Sequence, residues 1–452
     1  MSSTAPASSL PSFLRNTAFE RFGLGELVRF QKDPLGLLEE RQREGDMEPR
    51  WMAGRHILYL HAPEDVEWML RQRSDVLIKD EFLRNVDRII GSGVLISEGD
   101  FWRRQRGLMA HAFTPRRIAA YVAPMAGIGA RFADSLADGS VIDVHDAMNR
   151  VTMEIVAKTL FDADVADEGG KVGRAIEDVM VYYANSLEMV LNVPDWFPSP
   201  TMRRFVRARE SVRDIIDRII RERSTGEVDR GDLLGALLLA RDEDGKPMDP
   251  VQLRDECVTL FLAGHETTSL LLAHVLYALS SHPEVVTKLR EEIDRVLGDR
   301  EPTAEDVKEL VYTERVLNEG LRLYPSAWAL GREAVTDVTI RGRTYPKGTQ
   351  IMASQWAMHR DPRHYRDPLR FDPDRWTPEM RKALPRGAYF PFGDGPRVCI
   401  GNHFAMLEAQ ILLVQLVRRL SLSVEPGQEL DFAPSITLRV RDGVKMRVSK
   451  RR

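Results

Sequence analysis

Apolar residues recur along most of this chain at three- and four-residue spacing with polar residues between them, which predicts a mainly helical protein. Helices are expected over about 101–113, opened by Asp100 after a loop marked by Gly91 and Gly93, and over 147–161, 173–191 and 201–223. Asp249-Pro250 sets a capping acid before a proline at the first helical position. The pattern behind it runs to about Ser281, where His282-Pro283 breaks it. A helix of about 30 residues spans roughly 45 Å, and this one is apolar in its second half, so it should cross the middle of the molecule. Further helical patterns cover 283–297 and 314–323, the second ended by Tyr324-Pro325. β-prone pieces are few: 56–60, 338–340, 350–352, and a hairpin of 436–440 with 444–448 about Arg441-Asp442-Gly443. Segment Asn192-Val193-Pro194-Asp195-Trp196-Phe197-Pro198 is apolar yet proline-broken, as expected of a mobile lid. No composition shift marks a boundary. Residues 33–452 are expected to form one large domain, mainly α with a small β part, behind an N-terminal extension of residues 1–32.

Composition narrows the class. A formal net charge of −4 over 452 residues gives no reason to expect nucleic acid as a partner. The two cysteines, Cys257 and Cys399, lie far apart and make no disulfide framework, so a reducing, cytoplasmic setting is expected. The richest apolar run, 270–279, contains His274 and falls short of the roughly 18–20 residues of a membrane span. No membrane span and a soluble protein are therefore expected.

Two runs carry chemistry. In Phe392-Gly393-Asp394-Gly395-Pro396-Arg397-Val398-Cys399-Ile400-Gly401 a glycine-punctuated loop holds one cysteine, an arrangement that suits a thiolate metal ligand. Gly401 lets the chain turn into a helix from about Asn402, whose first free amides can point at the sulfur. The other run is Ala263-Gly264-His265-Glu266-Thr267-Thr268, near the middle of the long helix. Glycine inside a helix costs about 1 kcal/mol relative to alanine, and a flat cofactor against the backbone would justify Gly264. Thr267 can bond back to a carbonyl one turn earlier and bend the helix. Each run alone also suits a plainer role: Cys399 as a buried structural thiol, the hexapeptide as a packing contact.

The spacing Phe-x-x-Gly-x-Arg-x-Cys-x-Gly resembles the haem-ligand loop of the cytochrome P450 family, and residues 263–268 resemble its oxygen-activation motif. The resemblance implies haem b buried between the long helix and the cysteine loop. Cys399 would be the iron ligand, Phe392 and Gly401 would flank it, and Ala263 and Gly264 would lie against the ring. Glu266 and Thr267 would form a proton relay, an acid followed by an alcohol. Trp102 and Arg106, one turn apart on a helix, match the family's Trp-x-x-x-Arg element, and with Arg332 and Arg397 they would hold the haem propionates. Glu319, Arg322 and Arg375 would form a buried charged network bracing the pocket. Leu95, Tyr182, Phe261, Ala327, Ala329 and Ile436, with Tyr183, Met189 and Trp196, would line the substrate site. Trp328 stands where many relatives carry proline or a small residue.

The implied activity is a haem-thiolate monooxygenase. It would insert one atom of dioxygen into a hydrophobic substrate, hydroxylating or epoxidising a fatty acid, terpenoid or similar lipid. Neither a Gly-x-Gly-x-x-Gly run nor cluster-spaced cysteines occur, so electrons should come from a separate ferredoxin or flavodoxin with its reductase. In that fold arginines 103, 104, 116 and 117 border the face where the donor docks. Two alternatives stand beside this reading. One is a peroxide-dependent or isomerising haem-thiolate enzyme, whose branches generally lack the acid–alcohol pair. The other is a non-catalytic haem sensor, which needs no relay.

Overall fold

The helix foreseen behind Asp249-Pro250 is the axis of the molecule. A computed structural model describes residues 22–164, 173–175, 178–179, 182–183, 193–225, 230–241 and 245–451. The helices that build the site are α1 Gly99–Ala110, α2 Val122–Ser135, α3 Val144–Phe161, α4 Pro200–Ser224, α5 Pro250–Ser280, α6 Pro283–Leu297, α7 Val311–Leu323 and α8 Asn402–Arg419. Asp249 caps the 31-residue α5, its carboxylate accepting from the Val251 and Gln252 amides at 2.9 and 3.3 Å. α5 is buried on nearly every face because α3, α4, α7 and α8 surround it. No helix among the described residues is long and apolar enough to cross a membrane.

Gly264 owes its place to this packing. A Cβ there would stand 3.1 Å from Val156 Cγ2 of α3, so the glycine lets α3 and α5 approach closely. The missing side chain is accounted for by a helix neighbour.

The β part comprises β1 Met47–Met52, β2 Arg55–Leu60, β3 Leu77–Lys79, β4 Val141–Asp143, β5 Leu330–Ala334, β6 Val338–Ile340, β7 Arg343–Tyr345, β8 Gln350–Ala353, β9 Leu420–Val424, β10 Phe432–Pro434, β11 Leu438–Val440 and β12 Lys445–Lys450. The main sheet has the order β1-β2-β8-β5-β3, with β2 and β8 parallel and the other pairs antiparallel. It covers its own apolar cluster, which includes Leu58, Leu60, Met69 and Ile351. The expected hairpin of 436–440 with 444–448 does not form. Gly443, at φ 68°, carries the chain against Asp143, so β12 pairs with β4 and β9 while β11 returns onto β10.

Residues 173–175, 178–179 and 182–183 of the expected 173–191 helix are helical, and Met189 lies outside the described residues. In the proline-broken segment, Asp195 accepts from both Arg88 and Arg209, which anchors it to α4. Trp196 is 80% exposed, so it does not line an interior site, contrary to expectation.

Candidate active site

The cysteine loop is shaped by its glycines. Gly395 has φ 67°, and a Cβ there would collide with the Leu70 carbonyl, so only glycine fits. The Cys399 amide donates to the Phe392 carbonyl at 2.9 Å and closes the loop. Gly401, at the N-cap of α8, has φ −92° and ψ 10°, a conformation open to any residue, so the turn does not demand it as expected. Its amide nonetheless points at the sulfur. Burial pushes the Cys399 thiol up, while that amide, Arg106 and Lys79 favour the thiolate. Cys399 lies deep among protein atoms and still has accessible surface, as a residue bordering internal space would.

On α5 one face is similarly open. Ala263 is exposed and Thr267 half-buried, one turn apart, whereas Leu262, His265 and Glu266 beside them are buried. The Thr267 hydroxyl donates to the Ala263 carbonyl at 2.9 Å, the expected back-bond, and that of Thr268 to the Gly264 carbonyl at 3.3 Å, yet α5 remains a continuous helix. Ser326 Oγ donates to the Thr267 carbonyl at 2.7 Å.

Glu266 departs from the expected relay. Its carboxylate turns into the β10–β11 ribbon, where Arg439 grips it through Nε at 2.7 Å and Nη2 at 2.9 Å, and Thr437 donates at 3.3 Å. Burial opposes its charge, but the Arg439 guanidinium overrides this and holds the carboxyl at about 2. A carboxylate so bound has no proton to give at neutral pH.

Around the cysteine loop the positive charges converge. The Arg397 guanidinium lies 4.2 Å from the Trp102 ring centre and the Arg106 guanidinium 5.9 Å from it. Arg397 Nη2 donates to the Ser97 carbonyl at 2.6 Å and to the Glu98 carboxylate, while its buried Nη1 has no partner among the described residues. Arg332, on β5, is pulled down to about 10 by burial and by Arg397. Sequence reasoning missed Lys79, at the end of β3. Burial, Arg332 and Arg397 push it well below the usual lysine value. One lysine in Leu77-Ile78-Lys79 looks like an ordinary edge residue; only the pairing of β3 with β5, Lys79 opposite Arg332, reveals it. Four cations, with Glu98 and Asp80 as the acids acting on them, leave donors in excess. A planar group edged by two carboxylates fits that surplus, and haem is such a group. The residues present fit it.

The apolar walls divide. Leu95, Ala327 and Ile436 are each half-buried between buried chain neighbours, and Ala329 is half-buried, as residues facing an interior cleft would be. Phe261 is 1% exposed and packs edge-on against Phe161 at 6.1 Å, so it belongs to the α3–α5 core. Tyr182 stacks on Phe205 at 4.3 Å and accepts from Arg88 at 2.6 Å, which turns it toward α4. Both corrections share a cause: neighbouring helices cover those faces. Trp328 is buried among Phe30 and its neighbours, and its Nε1 donates to the Ser435 carbonyl at 2.9 Å, stitching the 326–329 segment to the turn that carries Ile436.

Beneath the site, Arg322 binds both oxygens of fully buried Glu319 at 2.9 and 2.8 Å. Arg375 joins at 3.0 Å, and Trp376 and the Asp372 amide at 2.9 Å each. The remaining Arg322 donors reach the His359, Pro368 and Arg370 carbonyls, so the charges are satisfied and the network is rigid.

A family model described as Cytochrome P450 matches residues 17–441. The cyclooctat-9-en-7-ol 5-monooxygenase of Streptomyces melanosporofaciens is 36% identical over 90% of this chain and 89% of its own length. The pentalenene oxygenase of Streptomyces avermitilis is 34% identical over 76% of each. Among solved structures, retinoic acid-bound cyanobacterial CYP120A1 superposes with a TM-score of 0.85 at 25% identity, covering 94% of this chain and 96% of that one.

Proposed function

The chain belongs to the cytochrome P450 family and is a monooxygenase, and from that premise we propose that it hydroxylates or epoxidises a cyclic terpenoid, with haem b held by Cys399. The observation that carries the reading is the deep but accessible Cys399, with the Gly401 amide aimed at its sulfur and cations gathered nearby. Bound haem supplies the redox chemistry, and a thiolate ligand donates electron density that favours O–O cleavage. Arg106, Arg332 and Arg397 hold its carboxylates, Trp102 adds an N–H, and Lys79 joins them. Phe392 shields the sulfur side.

Ala263 and Thr267 form the wall on which the reaction takes place, and Thr267 presents a hydroxyl that can hold or pass a proton there. Leu95, Ala327, Ala329 and Ile436 orient an apolar substrate and exclude water. The terpenoid assignment is supported by two relatives named for cyclic terpenoid oxidation and by these small apolar walls. Electrons come from a ferredoxin or flavodoxin through its reductase. Two unpaired cysteines, one buried, favour a reducing cytoplasm.

The test is an optical titration with cyclic terpenes and with fatty acids. A terpene should shift the spectrum of the haem-loaded protein from low to high spin, and should then be oxidised with a ferredoxin and reductase supplied. Saturable shifts with fatty acids alone would overturn the terpenoid assignment.

A further inference from the structure

Trp328 is buried between two half-buried alanines, Ala327 and Ala329. That is the alternation of an extended chain: the alanines border the cleft and the indole lies behind them. Three neighbours hold it there. Its carbonyl accepts from Ser354 Oγ at 2.9 Å and from the Trp356 amide at 3.1 Å, just past the end of β8. Its ring meets that of Phe30 at 6.1 Å. Its Nε1 donates to the Ser435 carbonyl at 2.9 Å, and that carbonyl belongs to the peptide bond leading into Ile436.

The other side of the Ile436 turn is tied to α5. Thr437 and Arg439 donate to Glu266 at 3.3 and 2.7 Å. The Leu438 amide donates to the Ser326 carbonyl at 2.9 Å, and the Ser326 hydroxyl returns to the Thr267 carbonyl at 2.7 Å. These bonds close a ring from α5 through the 435–439 turn to the 326–329 segment and back to α5. Ile436 sits in this ring between Ser435 and Thr437, both buried and both anchored. The Trp328 bond is the link that reaches from the alanine wall to the peptide bond next to Ile436.

We propose that Trp328 is a specificity-determining residue that touches no substrate: from behind the wall it fixes the gap between the two alanines and Ile436, and so selects rigid cyclic skeletons over flexible chains. The proposal rests on the reading of this cleft as the substrate site of a haem-loaded monooxygenase, and deepens it. A wall fixed in advance favours a rigid ligand of matching width, because neither partner then loses freedom on binding. A loose wall gives the rigid ligand no such advantage over a chain that adapts. Trp328 is a positioning residue, and it acts through Ile436.

The test titrates the haem-loaded protein optically with two imidazoles, one carrying an adamantyl cage and one a linear decyl chain with the same number of carbons. Each binds through its ring nitrogen, and neither needs turnover. Wild type should prefer the cage. Trp328→Phe keeps an aromatic ring and removes the N–H; a neutral hydrogen bond is worth roughly a two- to tenfold factor, so the preference should shrink several-fold, chiefly through weaker cage binding. Ile436→Ala should shrink it too, and the two substitutions together should do little more than either alone. Haem retention should stay normal throughout, whereas a merely structural role would lower haem retention and both affinities in parallel. An unchanged preference in Trp328→Phe, parallel losses, or fully additive effects overturn the proposal. So does a wild type that prefers the chain, even where a variant fails to fold. Wild type that prefers the cage and loses this in Trp328→Phe, yet oxidises no terpene, overturns the terpenoid assignment and leaves the role of Trp328 standing. A protein whose spectrum answers to neither imidazole overturns the haem reading, and the proposal with it.

Discussion

Arg439 sets the charge of Glu266, and its removal is the sharpest test at the scale of single residues. Breaking a buried ion pair from one side costs about 3–5 kcal/mol, because the partner is left charged and unsolvated. Arg439→Ala should therefore melt well below wild type at neutral pH, and Glu266→Gln added to it should recover part of the loss. The pH dependence follows from the direction of the shift. The folded carboxyl lies near 2, below its ordinary value, so its stabilisation is complete above the usual carboxylate range and is lost as pH falls toward 2. Glu408, completely buried on α8, has the opposite sign: burial makes its folded state keep the proton, so its contribution is complete below that range and drains away as pH rises. Thermal melts across pH should show Glu408→Gln flattening the alkaline slope and leaving the acid limb intact; an unchanged alkaline slope would mean that Glu408 is not held neutral. Neither acid's state was legible in the sequence. Glu266 beside Thr267 looks like a relay until β11 supplies Arg439, and one glutamate in a helix looks like a surface residue until its burial is known. Cys399 differed because four other fixed positions, Phe392, Gly395, Arg397 and Gly401, surround it.

At the scale of elements, the loop bearing Leu95 is tied to the start of α5. The Ser92 amide donates to Asp255 at 2.9 Å and the Val94 amide to Glu256 at 2.8 Å. Burial pushes Glu256 up to about 7, against the pull of the Val94 amide and Gln252. Glu256→Ala should free the loop. Amide exchange over 92–96 should quicken, and apolar ligands should bind several-fold more weakly, since a hydrogen bond of this kind is worth about 1 kcal/mol. Haem content should stay normal; parallel losses of haem and ligand would show that the loop supports the whole site and not one wall. The helices were read closely where caps and prolines fix both ends, as at Asp249-Pro250 and His282-Pro283. α2 was missed because Pro124, Gly127 and Gly129 dilute its local helical signal, and β12 was misassigned because its partners, β4 and β9, lie far away in sequence.

At the scale of the molecule, one long helix and one loop enclose the site, and a ring of cations borders it. Arg106→Ala with Arg332→Ala should reduce haem retention, because each charge-assisted bond to a carboxylate is worth about 1.5–3 kcal/mol, while the haem that remains keeps its thiolate spectrum. Full occupancy in the double variant would remove the cations from the haem-holding role. The central claim is narrower: the sulfur of Cys399 is the ligand. The most direct measurement is the spectrum of the reduced, carbon monoxide-bound protein beside its Cys399→His and Cys257→Ser variants. Wild type and Cys257→Ser should show the red-shifted Soret band of thiolate ligation, and Cys399→His should lose it. A wild-type spectrum typical of histidine-ligated haem, or loss of the band in Cys257→Ser, would contradict the account.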